Sequence, residues 1–149
     1  MARKRSRARA WALQVLYAWE ARGERDRLPD VLGSFLVERR VGAEAQEYLE
    51  TLISAVDMYL EPIDRTLGEY LINWRIERLS IIDRNVLRLA AAEMLHLAIP
   101  PRVAIQEALM LAEKYGTNES PRFVNGVLDA IMRSGSGAGD GATRSGERR

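Results

Sequence analysis

Ser80-Ile-Ile-Asp-Arg-Asn-Val-Leu-Arg-Leu-Ala-Ala-Ala-Glu-Met-Leu-His-Leu97 is the stretch that decides the architecture. Ser80 followed by Asp83 has the form of an N-terminal cap with a first-turn carboxylate. Beyond it, Ile81, Ile82, Val86, Leu87, Leu89, Ala90, Ala91, Ala92, Met94, Leu95 and Leu97 leave little room for a polar face. A helix apolar nearly all round must be packed on several sides, so this one belongs at the centre of a helical assembly.

Working outward, Pro100-Pro101 ends this helix and opens the next, 103–115, which Gly116 stops. Ser120-Pro121 then starts a last helix as cap residue and first-position proline. That helix carries Phe123, Val124, Val127, Leu128 and Ile131. Upstream, 63–74 reads as a helix with Pro62 in its first turn. The helix before it begins near Ala43 and carries Tyr48, Leu49, Leu52, Ile53, Val56 and Leu60 until Pro62 breaks or kinks it. A short helix follows Asp26-Arg-Leu-Pro29 and ends before Gly42. The first helix, 5–22, aligns Ala8, Trp11, Ala12, Val15, Leu16 and Trp19 on one face, and Gly23 stops it. No alternating strand pattern of useful length interrupts the series. The fold class is all-α.

A chain of 149 residues suits one domain, or two small halves sharing an interface. With 47% apolar and 29% charged residues it has the balance of a soluble globular protein. The absence of cysteine excludes disulfides, zinc–thiolate sites and cysteine nucleophiles. No apolar run approaches the ~18 residues of a membrane span. Gln14 and Glu20 interrupt any signal core, so the expected location is the cytoplasm. From Ser134 onward the Gly/Ser-rich sequence is low in complexity. The expected division is a helical domain, 1–133, and a disordered tail, 134–149. The tail's glycines loosely resemble a phosphate loop, but no strand precedes them and no lysine completes the motif.

Charge is distributed unevenly. The net charge is +1, yet Arg3, Lys4, Arg5, Arg7 and Arg9 crowd the first nine residues without an acid. Such a cluster is an electrostatic footprint for a polyanion. Arg5 and Arg9 share a helical face, and guanidinium matches phosphate with two parallel hydrogen bonds. A solvated, frayed terminus is the plainer explanation. Tyr17, eight residues after Arg9, can stack on a base or pack against a neighbouring helix. Trp11, Trp19 and Trp74 default to packing. Gly126, inside the last helix, suggests close helix approach or ligand contact, since glycine there costs about 1 kcal/mol relative to alanine. Asn125 beside it suits a base edge or a buried backbone group.

Signs of catalysis are few. His96, the one histidine, and Glu93 share the apolar helix. His96 reads as structural, and Glu93 as a paired structural acid with Arg88 or Arg84 as partner rather than an acid/base group. No metal-ligand spacing, nucleophile elbow or dinucleotide loop is present, so no cofactor is expected.

Arg5-Ser-Arg7-Ala-Arg9, Ala12, Gln14, Leu16-Tyr17 and Glu20 resemble the opening of the NusB transcription antitermination factors. Trp74, Arg78-Leu79, Ile82-Asp83-Arg84, Val86-Leu87-Arg88 and Glu93 resemble the family's middle. Ile99-Pro100, Val103-Ala104-Ile105, Glu107-Ala108, Leu111-Ala112, Tyr115-Gly116, Ser120 and Phe123-Val-Asn-Gly-Val-Leu-Asp129 continue it. Gln106, where asparagine is common, and the glycine-rich tail depart from the pattern. The resemblance spans about 5–132. It implies seven or so helices in two packed sub-bundles and no enzymatic activity. It implies binding of boxA, a single-stranded RNA of ribosomal RNA operon leaders, jointly with NusE, a small-subunit ribosomal protein, within a termination-resistant RNA polymerase complex. By position it implies RNA contacts at Arg3, Lys4, Arg5, Arg7, Arg9, Tyr17, Glu119, Arg122, Phe123 and Asn125. Glu77 and Asp83 match acidic positions facing NusE, and a homodimer that buries the basic helix is possible within the family. Two other functions compete with this one: a helical module binding protein only, and a relative of the N-terminal domain of RNA cytosine methyltransferases. The latter enzymes need a cofactor-binding α/β domain and a cysteine nucleophile, and this chain has neither.

Overall fold

The computed structural model describes residues 2–135, with only the backbone of Ala2. Of the tail expected at 134–149, residues 136–149, with Arg148 and Arg149, lie outside the described residues. Among the described residues seven α-helices run in order: α1 (Ala2–Ala21), α2 (Leu28–Glu38), α3 (Ala43–Met58), α4 (Leu60–Tyr70), α5 (Ile81–His96), α6 (Pro101–Tyr115) and α7 (Ser120–Arg133). A single 3-10 turn, Ile76–Arg78, precedes α5.

The expectation for α5 holds. Ser80 caps it, its hydroxyl accepting from the Asp83 N–H at 3.1 Å, and every residue from Asn85 to Met94 is buried. α5 packs against α1, α3, α4, α6 and α7, so it joins two sub-bundles, α1–α3 and α4–α7. Leu16, Leu49, Leu52, Leu87, Met94, Leu128 and Ile131 are fully enclosed there. Each contributes roughly 1.5–3 kcal/mol through removal from water.

Three boundaries differ from the sequence expectation. The α3–α4 break falls at Tyr59, whose backbone leaves the helical region (φ −113°, ψ 24°), and not at Pro62. Pro62 is the third residue of α4, where a missing N–H costs no intrahelical bond. α4 ends at Tyr70, so Trp74 is not helical. Leu71 is extended, and Asn73 takes a left-handed conformation (φ 72°) that asparagine tolerates. At α7 the cap position belongs to Glu119. Ser120 is the first helical residue, and its buried hydroxyl turns back to accept from the Thr117 N–H at 3.0 Å. The Gly23 stop is as expected: with φ 76° it closes α1 while the Glu24 N–H returns to the Trp19 carbonyl at 3.1 Å.

A buried polar network locks α1, α4 and α5 together. Glu20 receives two hydrogen bonds from the Arg84 guanidinium, one from Arg88 at 2.7 Å and one from Asn85 at 3.1 Å. Arg88 also grips Asp64 with two parallel bonds of 2.9 Å. Arg84 donates to the carbonyls of Ile76 and Leu79 at 3.0 and 2.8 Å, which pins the 3-10 turn onto α5. Arg84 and Arg88 therefore serve Glu20 and Asp64, and neither is the partner of Glu93. Burial alone would raise the Glu20 carboxyl, but hydrogen bonds and charge from Arg84, with Asn85 and Arg88, hold it below the ordinary carboxylate range.

Candidate nucleic-acid interface

The basic end of the chain is helical, which turns five cations into a patterned surface. Arg3, Lys4, Arg5 and Arg7 are exposed on the first turns of α1. Lys4 forms an exposed ion pair with Glu44 of α3 at 2.8 Å. The Arg5 guanidinium lies over the Tyr48 ring, 4.6 Å from its centroid, so one of its faces is supported and its edge stays free. Arg3 and Arg7 have no carboxylate partner among the described residues.

Arg9 departs from this group and corrects the expectation that it faces a ligand. It is only 4% exposed, and its Nε donates to Glu93 at 2.8 Å, with Glu107 of α6 at 3.5 Å from another guanidinium nitrogen. The Tyr48 hydroxyl donates to the same Glu93 oxygen, and the Ser6 hydroxyl donates to Glu107 at 2.9 Å. Arg9, Glu93, Tyr48, Glu107 and Ser6 thus tie α1, α3, α5 and α6 together directly beneath the exposed cations. Burial pushes the Glu93 carboxyl up, against the opposing pull of Arg9 and Tyr48. Burial also raises the Tyr48 phenol, and its bond to Glu93 adds to this, so it remains a donor. His96 stacks on Tyr59, with ring centroids 3.9 Å apart and planes within 3°, in keeping with a structural role.

Tyr17 is 47% exposed and stands clear of the core. Trp19 is buried and donates to the Asp26 carbonyl at 3.1 Å, and Trp11 meets Phe35 edge-on at 5.6 Å. Trp74 breaks the packing expectation: with α4 ended at Tyr70, it is 56% exposed.

On the other side of α5, an open groove is lined by Trp74, Arg78, Asp83, Glu119, Ser120 and Phe123. It brings Asp83 together with Glu119 and Phe123, which the sequence placed at opposite ends of the second half. Phe123 is half-buried against the core. The Asp83 Oδ1 atom is buried and has no hydrogen-bond partner among the described residues. Arg122 and Asn125 are exposed on α7, and Glu77 is exposed on the 3-10 turn, 3.8 Å from Arg75; none of the three lines this groove. Gly126 is exposed, with nothing within 4 Å of where a Cβ would stand, so it marks no close helix approach.

Sequence reasoning missed Arg40 and Trp74. Arg40 lies between α2 and α3 and shares a groove with Lys4, Arg7 and Trp11. Only its place in an Arg39-Arg40 pair could have suggested it.

The NusB family model matches residues 6–133. The chain is 43% identical over 132 residues to the transcription antitermination protein NusB of Anaeromyxobacter sp. (strain Fw109-5), covering 88% of this chain and 91% of that protein. It is 39% identical over 129 residues to the NusB of Chloroherpeton thalassium, covering 85% of this chain and 60% of that longer protein. Its fold is similar to that in a crystal structure of the antitermination factors NusB and NusE in complex with double-stranded RNA. The TM-score is 0.81 at 32% identity, with 90% of this chain and 99% of the other covered. By family match, sequence identity and fold alike, this chain belongs to the NusB family.

Proposed function

We propose that this chain is a non-catalytic transcription antitermination factor of the cytoplasm. In this reading it binds boxA-type RNA from ribosomal RNA operon leaders jointly with NusE, and joins RNA polymerase in a termination-resistant complex. The observation that carries the RNA part is the set of exposed cations, Arg3, Lys4, Arg5 and Arg7, on a helix braced from below by buried Arg9 and Glu93 and half-buried Tyr48. A braced helix presents phosphate donors without paying the ordering entropy of a frayed terminus at the moment of binding.

Arg3, Arg5 and Arg7 contact phosphates, and Lys4 exchanges Glu44 for phosphate. Arg9 acts as a positioning residue beneath them. Tyr17 stacks on an unpaired base, while Glu119, Arg122, Phe123 and Asn125 supply base preference at the far end. The similar complex holds double-stranded RNA. Exposed Tyr17 favours single-stranded RNA for this chain, because a paired base has no free face to stack. Glu77 and Asp83, acids on the 3-10 turn and the first turn of α5, face basic NusE.

The test is fluorescence anisotropy of single-stranded and duplex RNA with the native chain and with R3A/R5A/R7A. The reading expects tighter binding of the single strand and a loss of about tenfold or more in the triple variant, with helicity by circular dichroism unchanged. Equal affinity in the triple variant would refute it.

A further inference from the structure

Two grooves along α1 continue the basic terminus, the first against the start of α3 and the second against α2. Lys4, Arg7, Trp11, Gln14 and Ala18 follow one another at three- and four-residue spacings, so they form a single stripe along α1, which Arg22 continues just past its end. At 1.5 Å per residue the stripe with Arg22 spans roughly 27 Å. Its first half, with Arg40, lines one open groove. Its second half, with Tyr17, Phe35, Glu38 and Arg39 alongside, lines the next. The two grooves meet at the Trp11–Phe35 pair, and the Arg39 guanidinium lies over that same Phe35 ring, 5.0 Å from its centroid.

Charge along this path is one-sided. Five cations line it, Lys4, Arg7, Arg22, Arg39 and Arg40, against the acids Glu38 and Glu44. Lys4 is paired with Glu44, and Arg22 with Asp26 at 3.3 Å. Arg7, Arg39 and Arg40 have no carboxylate partner among the described residues. Tyr17 is the exposed aromatic of this path, Trp11 is half-buried and Phe35 is buried beneath the Arg39 guanidinium. Unpaired arginines beside an exposed ring and a flat guanidinium face are what a single strand requires: cations to follow its phosphates and flat surfaces for its bases.

We infer that these two grooves form a track for single-stranded RNA, in which Arg39 and Arg40 hold phosphates on either side of the base that Tyr17 stacks. It extends the strand held by Arg3, Arg5 and Arg7. The inference rests on the RNA-binding reading above and adds residues of α2 and of the α2–α3 connection to it.

The test is anisotropy of a labelled oligouridine of about 12 nucleotides, within the range of single-strand sites. Four variants are compared with the native chain: R39Q/R40Q, E38Q, R3A/R5A, and R65Q/R102Q, which removes two exposed charges from α4 and α6. R39Q/R40Q should weaken binding about fivefold to tenfold and lower the salt slope by about 1.4, the share of two phosphates on a single strand. E38Q should tighten binding, and R65Q/R102Q should leave it nearly unchanged. An R39Q/R40Q loss no larger than that of R65Q/R102Q would overturn the track as a net-charge effect. Loss in R3A/R5A with R39Q/R40Q and E38Q unchanged would overturn the track alone. No loss in any arginine variant would overturn the RNA-binding reading itself. If R39Q/R40Q instead abolished binding of polyglutamate and spared RNA, the grooves would be a protein-binding surface, and the inference would fall.

Discussion

Arg9 and Arg5 sit one turn apart with the same chemistry and opposite fates. Arg5 stands at the surface over Tyr48, while Arg9 is enclosed by α3, α5 and α6 and neutralised by Glu93. Spacing places both on one face, but it cannot tell which turn of that face the neighbouring helices cover. The partner lies 84 residues away, beyond any local signal. Truncating Arg9 strands a buried carboxylate. R9A should cost about 3–5 kcal/mol in urea denaturation, whereas exposed R3A should stay within about 0.5 kcal/mol. Glu20 makes a pH prediction. Its carboxyl titrates lower in the folded chain than in the unfolded one, so the stability it supplies is complete above the unfolded value. That stability is lost as pH falls through the folded value. Glu93, raised by burial, has the opposite sign: its contribution falls as pH rises from the unfolded value to the folded one. Denaturation midpoints between pH 3 and 7 should therefore lose part of their acid-side decline in E20Q. An unchanged profile would remove Glu20 as a contributor.

At the scale of elements, helix identity was legible and connections were less so. Ser80, Gly23 and the apolar run of α5 carry their signals within a few residues, because capping and all-round burial are written in adjacent side chains. The Tyr59 break and the early end of α4 arise from packing and from the anchoring of the 3-10 turn by Arg84, which adjacent residues do not encode. The early end is also why Trp74 reaches the surface. Two glycines test the turn and helix that present Phe123. A Cβ at Gly116 would stand 2.6 Å from the Ser120 Cβ and 2.8 Å from the Ala112 carbonyl. G116A should therefore destabilise by about 1–3 kcal/mol through overpacking. A Cβ at Gly126 meets open space within a helix, so G126A should stabilise by roughly 0.5–1 kcal/mol. Thermal unfolding of both variants checks the pair, and the same sign for both would contradict the geometry of this region.

Across the whole molecule, a chain of nearly zero net charge gathers five of its 22 cations into the first nine residues, while on the far side of α5 the Asp83 Oδ1 atom has no hydrogen-bond partner among the described residues. That polarity suits a protein that joins a polyanion to a basic partner. With four phosphates neutralised by Arg3, Lys4, Arg5 and Arg7, log affinity for a short single strand should fall against log salt with a slope near −3. A slope near zero would remove the electrostatic basis. The residues that make these surfaces lie far apart in sequence, and α5, packed against both α1 and α7, sets their separation together with α6. The most direct measurement is anisotropy of a labelled boxA-like RNA beside a scrambled one, each titrated with this chain alone and with NusE. The account predicts tighter binding to the boxA-like RNA and a further gain when NusE is present. Equal weak binding to both RNAs, unaffected by NusE, would contradict it.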